Sequence, residues 1–104
     1  MANKETILMR EIMVALSGEG CFVLRTNAGT FYDSRGNRVK IGFAGLSDLV
    51  GCTSKGRFFA IEVKMPKENP REDQKEFLKA MKDSGALSGV AHSVEEALEI
   101  VNGT

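Results

Sequence analysis

The stretch Phe59-Ala60-Ile61-Glu62-Val63-Lys64 constrains this chain more than any other, because it sets two opposite charges into an apolar strand. Successive side chains of a strand point to opposite faces, so Glu62 and Lys64 share a face while Ile61 and Val63 fill the other. Ala60 lies on the Glu62 face, where a small neighbour leaves room for a ligand. Taken alone, an E-x-K triplet marks no more than an edge strand with a solvated face. Here a second acid, Asp48, stands on the strand just before it. A turn at Thr53-Ser54-Lys55-Gly56 joins strands at Ser47–Val50 and Arg57–Lys64 into a tight unit, so Asp48 and Glu62 are expected to converge at one end.

The rest of the chain supplies an α/β frame. Asn3 caps a first helix running to about Ser17, where Gly18 and Gly20 end it. Ile7, Leu8, Ile12, Ala15 and Leu16 recur at helical spacing, and Met9, Met13 and Val14 widen the apolar surface beyond what a one-sided helix needs. Thr6, Arg10 and Ser17 form the polar stripe. Glu11 falls among Ile7, Ala15 and Leu8 on the helical wheel, so its carboxylate is expected to face the interior or a cleft. Cys21–Thr26 reads as a strand, and Thr30–Asp33 with Arg38–Gly42 as a hairpin closed at Ser34-Arg35-Gly36-Asn37.

Past the central strands, Asn69 at the cap and Pro70 at the first helical position open a second helix that reaches about Ser84 and stops at Gly85. Val90-Ala91-His92 is a short strand. Ser93-Val94-Glu95-Glu96 is a capping box opening a last helix with Val94, Ala97, Leu98 and Val101 on one face. No repeat or linker interrupts the order α-β-β-β-(β)-α-β-α, so residues 1–104 are expected to form one domain.

Two convergent carboxylates without His or Cys make an oxygen-ligand site suited to Mg²⁺ or Mn²⁺. Such an ion polarises a phosphoryl oxygen, activates a water and stabilises a departing oxygen, and a neighbouring Lys offsets charge growing on the phosphate. Gln74 shares a helix face with Phe77, Leu78 and Met81, and a polar amide on that stripe must find a partner. That partner is either a nearby backbone group or, in the site, Lys64, a metal-bound water or a phosphate. Arg71, Lys75, Lys79 and Lys82 lie on an exposed side of the same helix. They form either a solvated face or a wall tracking a DNA backbone, continued by Lys67, with Arg35, Arg38 and Lys40 of the hairpin serving the same end.

Other chemistries are disfavoured. A formal net charge of zero argues against a protein that coats nucleic acid by bulk electrostatics, although acids of a metal site depress that count. His92 is the only histidine and has no nucleophile near it, so it reads as structural. No phosphate-cradling glycine motif implies a nucleotide cofactor. Cys21 and Cys52 form no disulfide framework or zinc pattern and read as reduced thiols. The early charges of Lys4 and Glu5, with no long apolar run behind them, lead to the expectation of a cytoplasmic protein without a membrane span.

The combination of Gly45-Leu46-Ser47-Asp48, an interval of thirteen residues, Glu62-Val63-Lys64, and Gln74 in the next helix resembles the virus-type replication-repair nuclease (VRR-NUC) domain of the PD-(D/E)XK superfamily. The resemblance implies a restriction-endonuclease-like core, a central mixed sheet flanked by helices, and metal-dependent cleavage of DNA. It implies Asp48, Glu62 and the Val63 carbonyl as metal ligands, Lys64 as the catalytic lysine, Gln74 in the site and Glu11 completing the acidic cluster. Arg25-Thr26-Asn27-Ala28-Gly29 resembles the stretch before the metal strand, which places Arg25 and Asn27 near DNA. Ser47 stands where the motif's name has Pro. Stand-alone domains of this kind resemble archaeal Holliday-junction resolvases, which implies branched DNA and a homodimer. A second motive for a dimer is physical, since the opening helix leaves Met9, Met13 or Leu16 without an obvious partner in so small a domain. The alternative is a non-catalytic DNA-binding module that retains the fold.

Overall fold

A computed structural model describes residues 3–103. Its elements are α1 (Lys4–Gly18), β1 (Phe22–Arg25), β2 (Gly29–Tyr32), β3 (Arg38–Ile41), β4 (Leu49–Cys52), β5 (Phe58–Val63), α2 (Glu72–Asp83), β6 (Leu87–Ala91) and α3 (Val94–Val101). Four strands form a mixed sheet in the order β1-β4-β5-β6, antiparallel except for the parallel pair β5/β6. The hairpin β2/β3 is a separate two-stranded sheet, and neither of its strands packs on another helix or strand among the described residues.

Helix α1 begins where expected, with the Asn3 side chain accepting the Thr6 N–H at 2.8 Å. Its buried line is Met9, Ile12 and Leu16, which packs with Leu49, Phe59, Ile61 and Val63 of the sheet and with Ala97 and Val101 of α3. Met9 and Leu16 are therefore core residues, and Met13 packs partly against them, so the expected bare methionine face does not exist. Centring the helix on Met9, Ile12 and Leu16 also turns Glu11 outward. It is exposed, contrary to the expectation drawn from Ile7 and Ala15, and Ile7 itself is 45% exposed.

Helix α2 covers the opposite face of β5 and β6, with Leu78 buried and its carbonyl accepting the Ser88 hydroxyl at 2.6 Å. It starts two residues later than Asn69-Pro70 suggests, with Arg71 at the cap. Strand β6 is longer than expected. Its Ser88 and Gly89 break the apolar pattern, yet Gly89 lies so close under α3 that a Cβ there would come within 3.0 Å of Ile100. Because α2 does not reach β1 and β4, the face formed by Phe22, Leu24 and Phe58 stays open, with 66%, 51% and 43% exposure. Among the described residues no helix is long and apolar enough to cross a membrane.

Candidate active site

Strand β4 starts one residue after Asp48, so the acid sits on the lead-in to the strand and not within it. Its side chain nevertheless continues the β4/β5 ladder, because Asp48 Oδ2 accepts the Val63 N–H at 2.9 Å. The N–H and carbonyl of one strand residue point the same way, so the Val63 carbonyl is directed to the Asp48 side as well. The lead-in itself is pinned. Thr26 donates its hydroxyl to the Ser47 carbonyl (2.8 Å) and its N–H to the Asp48 carbonyl (2.9 Å), and the buried Ser47 hydroxyl donates to the Leu49 carbonyl (3.0 Å). Ser47 thus fixes the bend by hydrogen bonds where a proline would fix it by its ring. Gly45 has φ +92°, and a Cβ there would collide with the Asp73 carbonyl, so only glycine lets this loop seat against the start of α2.

Glu62 is 1% exposed, and its Oε2 has no hydrogen-bond partner. Burial first, then the Asp48 carboxyl beside it, pushes its pKa up to about 9, against the opposing pull of Lys64 and Arg71. A buried carboxyl oxygen without a donor is costly, and it is the kind of group that a bound cation satisfies. Asp48, Glu62 and the Val63 carbonyl are all hard oxygen donors, so the residues present fit Mg²⁺ or Mn²⁺. Among the described residues no cluster of three metal-ligating acid, His or Cys side chains is closed up, so such a site would draw on the backbone carbonyl or on movement of a further acid.

The third acid of the cleft is Glu5. It lines the cleft of about 470 Å³ that also holds Asp48, Glu62, Lys64, Arg71 and Gln74, whereas Glu11 lies outside it. Glu5 stands four residues before Met9 and seven before Ile12, on the buried line of α1, and that spacing is the signal for it in the sequence.

Gln74 is 6% exposed and spends its Oε1 on the Arg71 N–H at 2.9 Å, so the nearby-backbone reading holds for its oxygen. The residue still lines the cleft, where its amide N–H₂ is the group it can offer. Of the expected DNA contacts, Arg71 lines the cleft and pairs with Asp73 at 3.3 Å. Lys75 and Lys79 do not line it. They are exposed and paired along the helix with Glu72 (3.3 Å) and Asp83 (2.6 Å). Lys67 and Arg25 are exposed outside the cleft, as is Asn27, which has φ 52° in the turn leading to β2. The cations brought to the acids are instead Arg38 and Lys40 of the hairpin. His92 has a structural setting, between the Glu68 carbonyl at Nε2 (3.0 Å) and Glu96 Oε1 at Nδ1 (2.9 Å), which hold its pKa above the ordinary value.

The sequence profile of the VRR-NUC domain matches residues 25–95, more than half of the chain. The chain belongs to the VRR-NUC family. A solved structure described as a VRR-NUC domain superposes with TM-score 0.71 at 19% identity, covering 96% of each chain, so this fold is the VRR-NUC fold over nearly its whole length. Among curated proteins none matches. VRR-NUC membership implies nuclease-type processing of DNA, and a nuclease domain of this kind suggests use of a divalent cation.

Proposed function

We propose that this VRR-NUC domain is a Mg²⁺- or Mn²⁺-dependent DNA endonuclease acting on branched DNA. The observation that carries the reading is the buried, unpartnered Oε2 of Glu62 beside Asp48, with Lys64 next along the same strand face. Asp48, Glu62 and the Val63 carbonyl would hold the ion, and Glu5 would take the part that the family resemblance implied for Glu11. The ion would supply Lewis-acid chemistry at the phosphodiester. Lys64 is the cation placed to offset charge growing on the phosphate, whereas Ala60, expected to leave room beside the pair, is fully buried and does not line the cleft. Gln74 presents its amide N–H₂ to a phosphate or water. Arg38, Lys40 and Arg71 line the approach and neutralise backbone phosphates.

A homodimer would form through the sheet and not through α1, whose Met9 and Leu16 are core residues. Phe22, Leu24 and Phe58 are the large side chains left bare on one contiguous face, and a twofold copy of that face would bury them. Light scattering at micromolar concentration is expected to give a dimer that Phe22→Glu dissociates; a monomeric wild type rejects the dimer alone. The catalytic reading is tested by incubating the protein with plasmid, linear duplex and a mobile four-way junction in Mg²⁺, Mn²⁺ or EDTA. Metal-dependent cutting that favours the branched substrate is expected. Cutting in EDTA, or none in either metal, rejects it.

A further inference from the structure

The hairpin β2/β3 is the part of the molecule that the catalytic reading leaves largely unused, and it has two unlike faces. Cross-strand partners share a face, so Thr30 with Lys40 and Tyr32 with Arg38 form one, while Phe31 with Val39 forms the other. The first face lines the cleft through Thr30, Lys40 and Arg38; of the second, the Gly29–Ile41 pair at the base of the hairpin lines it too, while Phe31 and Val39 do not. Tyr32 stands directly opposite Arg38 and is 71% exposed, among the least covered large side chains among the described residues. A strand of nucleic acid leaving the acids would pass Lys40, then Arg38 about 7 Å further on, and meet the Tyr32 ring.

We infer that Tyr32 is a stacking platform for an unpaired base, and that the Tyr32–Arg38–Lys40 face guides the single-stranded arm of a branched DNA into the cleft. This rests on the nuclease reading above and names the substrate feature it selects. Bases inside a duplex are already stacked on both sides and offer only their edges in the grooves, so an exposed aromatic face gains little from them. A base at a flap, gap or branch has a free π-face, and stacking there tolerates any sequence. The flanking cations suit the phosphates on either side of such a base.

The platform is also held in shape, which lowers the entropy lost on binding. Asp33 Oδ1 accepts the N–H groups of Arg35 (2.9 Å) and Asn37 (2.8 Å), and the Asp33 and Asn37 backbones close the tip at 2.9 Å. At the base, Phe43 meets Phe77 of α2 edge to face with ring centroids 5.4 Å apart, which anchors the hairpin beside the cleft.

The test uses the whole chain in EDTA, which withholds the metal, with a duplex carrying a single-stranded flap and a 2-aminopurine in the flap beside the branch. Binding of wild type is expected to quench the 2-aminopurine, as ring stacking does. Tyr32→Ala is expected to abolish that quench and to weaken flap binding by about fivefold or more relative to duplex binding, while Tyr32→Phe, which keeps the ring, retains both. Equal loss on flap and duplex, or an unchanged quench in Tyr32→Ala, overturns the inference. A parallel cleavage assay in Mn²⁺ separates the two readings. A chain that quenches through Tyr32 and never cuts rejects the nuclease alone, and one that cuts with a Tyr32-independent quench rejects the platform alone.

Discussion

Replacing Glu62 by glutamine should make the metal-free protein more stable, and increasingly so as the pH rises. The folded protein holds a proton on Glu62 up to about pH 9, whereas an unfolded glutamate loses it near 4.5. Between those values the folded state binds more protons than the unfolded one, so stability present at low pH is lost as pH climbs. Inside that window the slope approaches the one-proton limit, on the order of 1 kcal/mol per pH unit. The amide of the Glu62→Gln variant has no such proton to lose. Urea denaturation in EDTA at pH 6, 7 and 8 should therefore show the stability gap between Glu62→Gln and wild type widening by roughly 2 kcal/mol across the series. His92, whose pKa is raised by the Glu68 carbonyl and the Glu96 carboxylate, adds a slope of the same sign, but both proteins share it and it cancels in the difference. A gap constant with pH would refute the reasoning, because it would mean that Glu62 is ionised in the fold and already compensated by Lys64 and Arg71. Added Mn²⁺ competes with the proton, so it should stabilise wild type more at pH 8 than at pH 6 and leave Glu62→Gln nearly unmoved.

Three further outcomes follow from the cleft. Lys64→Ala should lower single-turnover cleavage by about 10²-fold or more with a far smaller loss of DNA affinity, whereas Arg38→Ala and Lys40→Ala should weaken binding and each reduce the salt slope by about one. Lys79→Ala should change neither, since Lys79 is paired with Asp83 away from the cleft. Glu5→Gln should weaken Mn²⁺ binding roughly tenfold or more, read by thermal shift, while Glu11→Gln leaves it level; the reverse order would restore Glu11 to the site. Gly45→Ala forces a side chain into a left-handed turn and against the Asp73 carbonyl, and should cost about 1–3 kcal/mol in urea with loss of cleavage; unchanged stability would mean that the loop seats loosely on α2.

The central strand is legible in the sequence because a strand reports its two faces directly. Alternation alone puts Glu62 and Ala60 on one side of β5 and Ile61 and Val63 on the other, and the structure buries all four accordingly. Helix α1 is harder for a physical reason. An apolar stripe wide enough to include Ile7, Met9, Ile12, Val14 and Leu16 does not fix which line faces the core, and the phase is chosen by what packs against it. Here α3 and the sheet select Met9, Ile12 and Leu16, which turns Val14 to 73% exposure, sends Glu11 to solvent and brings Glu5 to the cleft. The same long-range choice covers the methionines that suggest a dimer face in the sequence, and it leaves the bare surface on β1 and at the start of β5, at Phe22, Leu24 and Phe58. Gln74 lies on the buried stripe as its spacing predicts, yet its oxygen caps its own helix, because the start of α2 falls at Arg71 and not at the Asn69-Pro70 signal. The side chain's position can be read from periodicity, but the use of each of its polar atoms depends on where the helix begins, and the loop from Gly45 packed against Asp73 helps to hold that start.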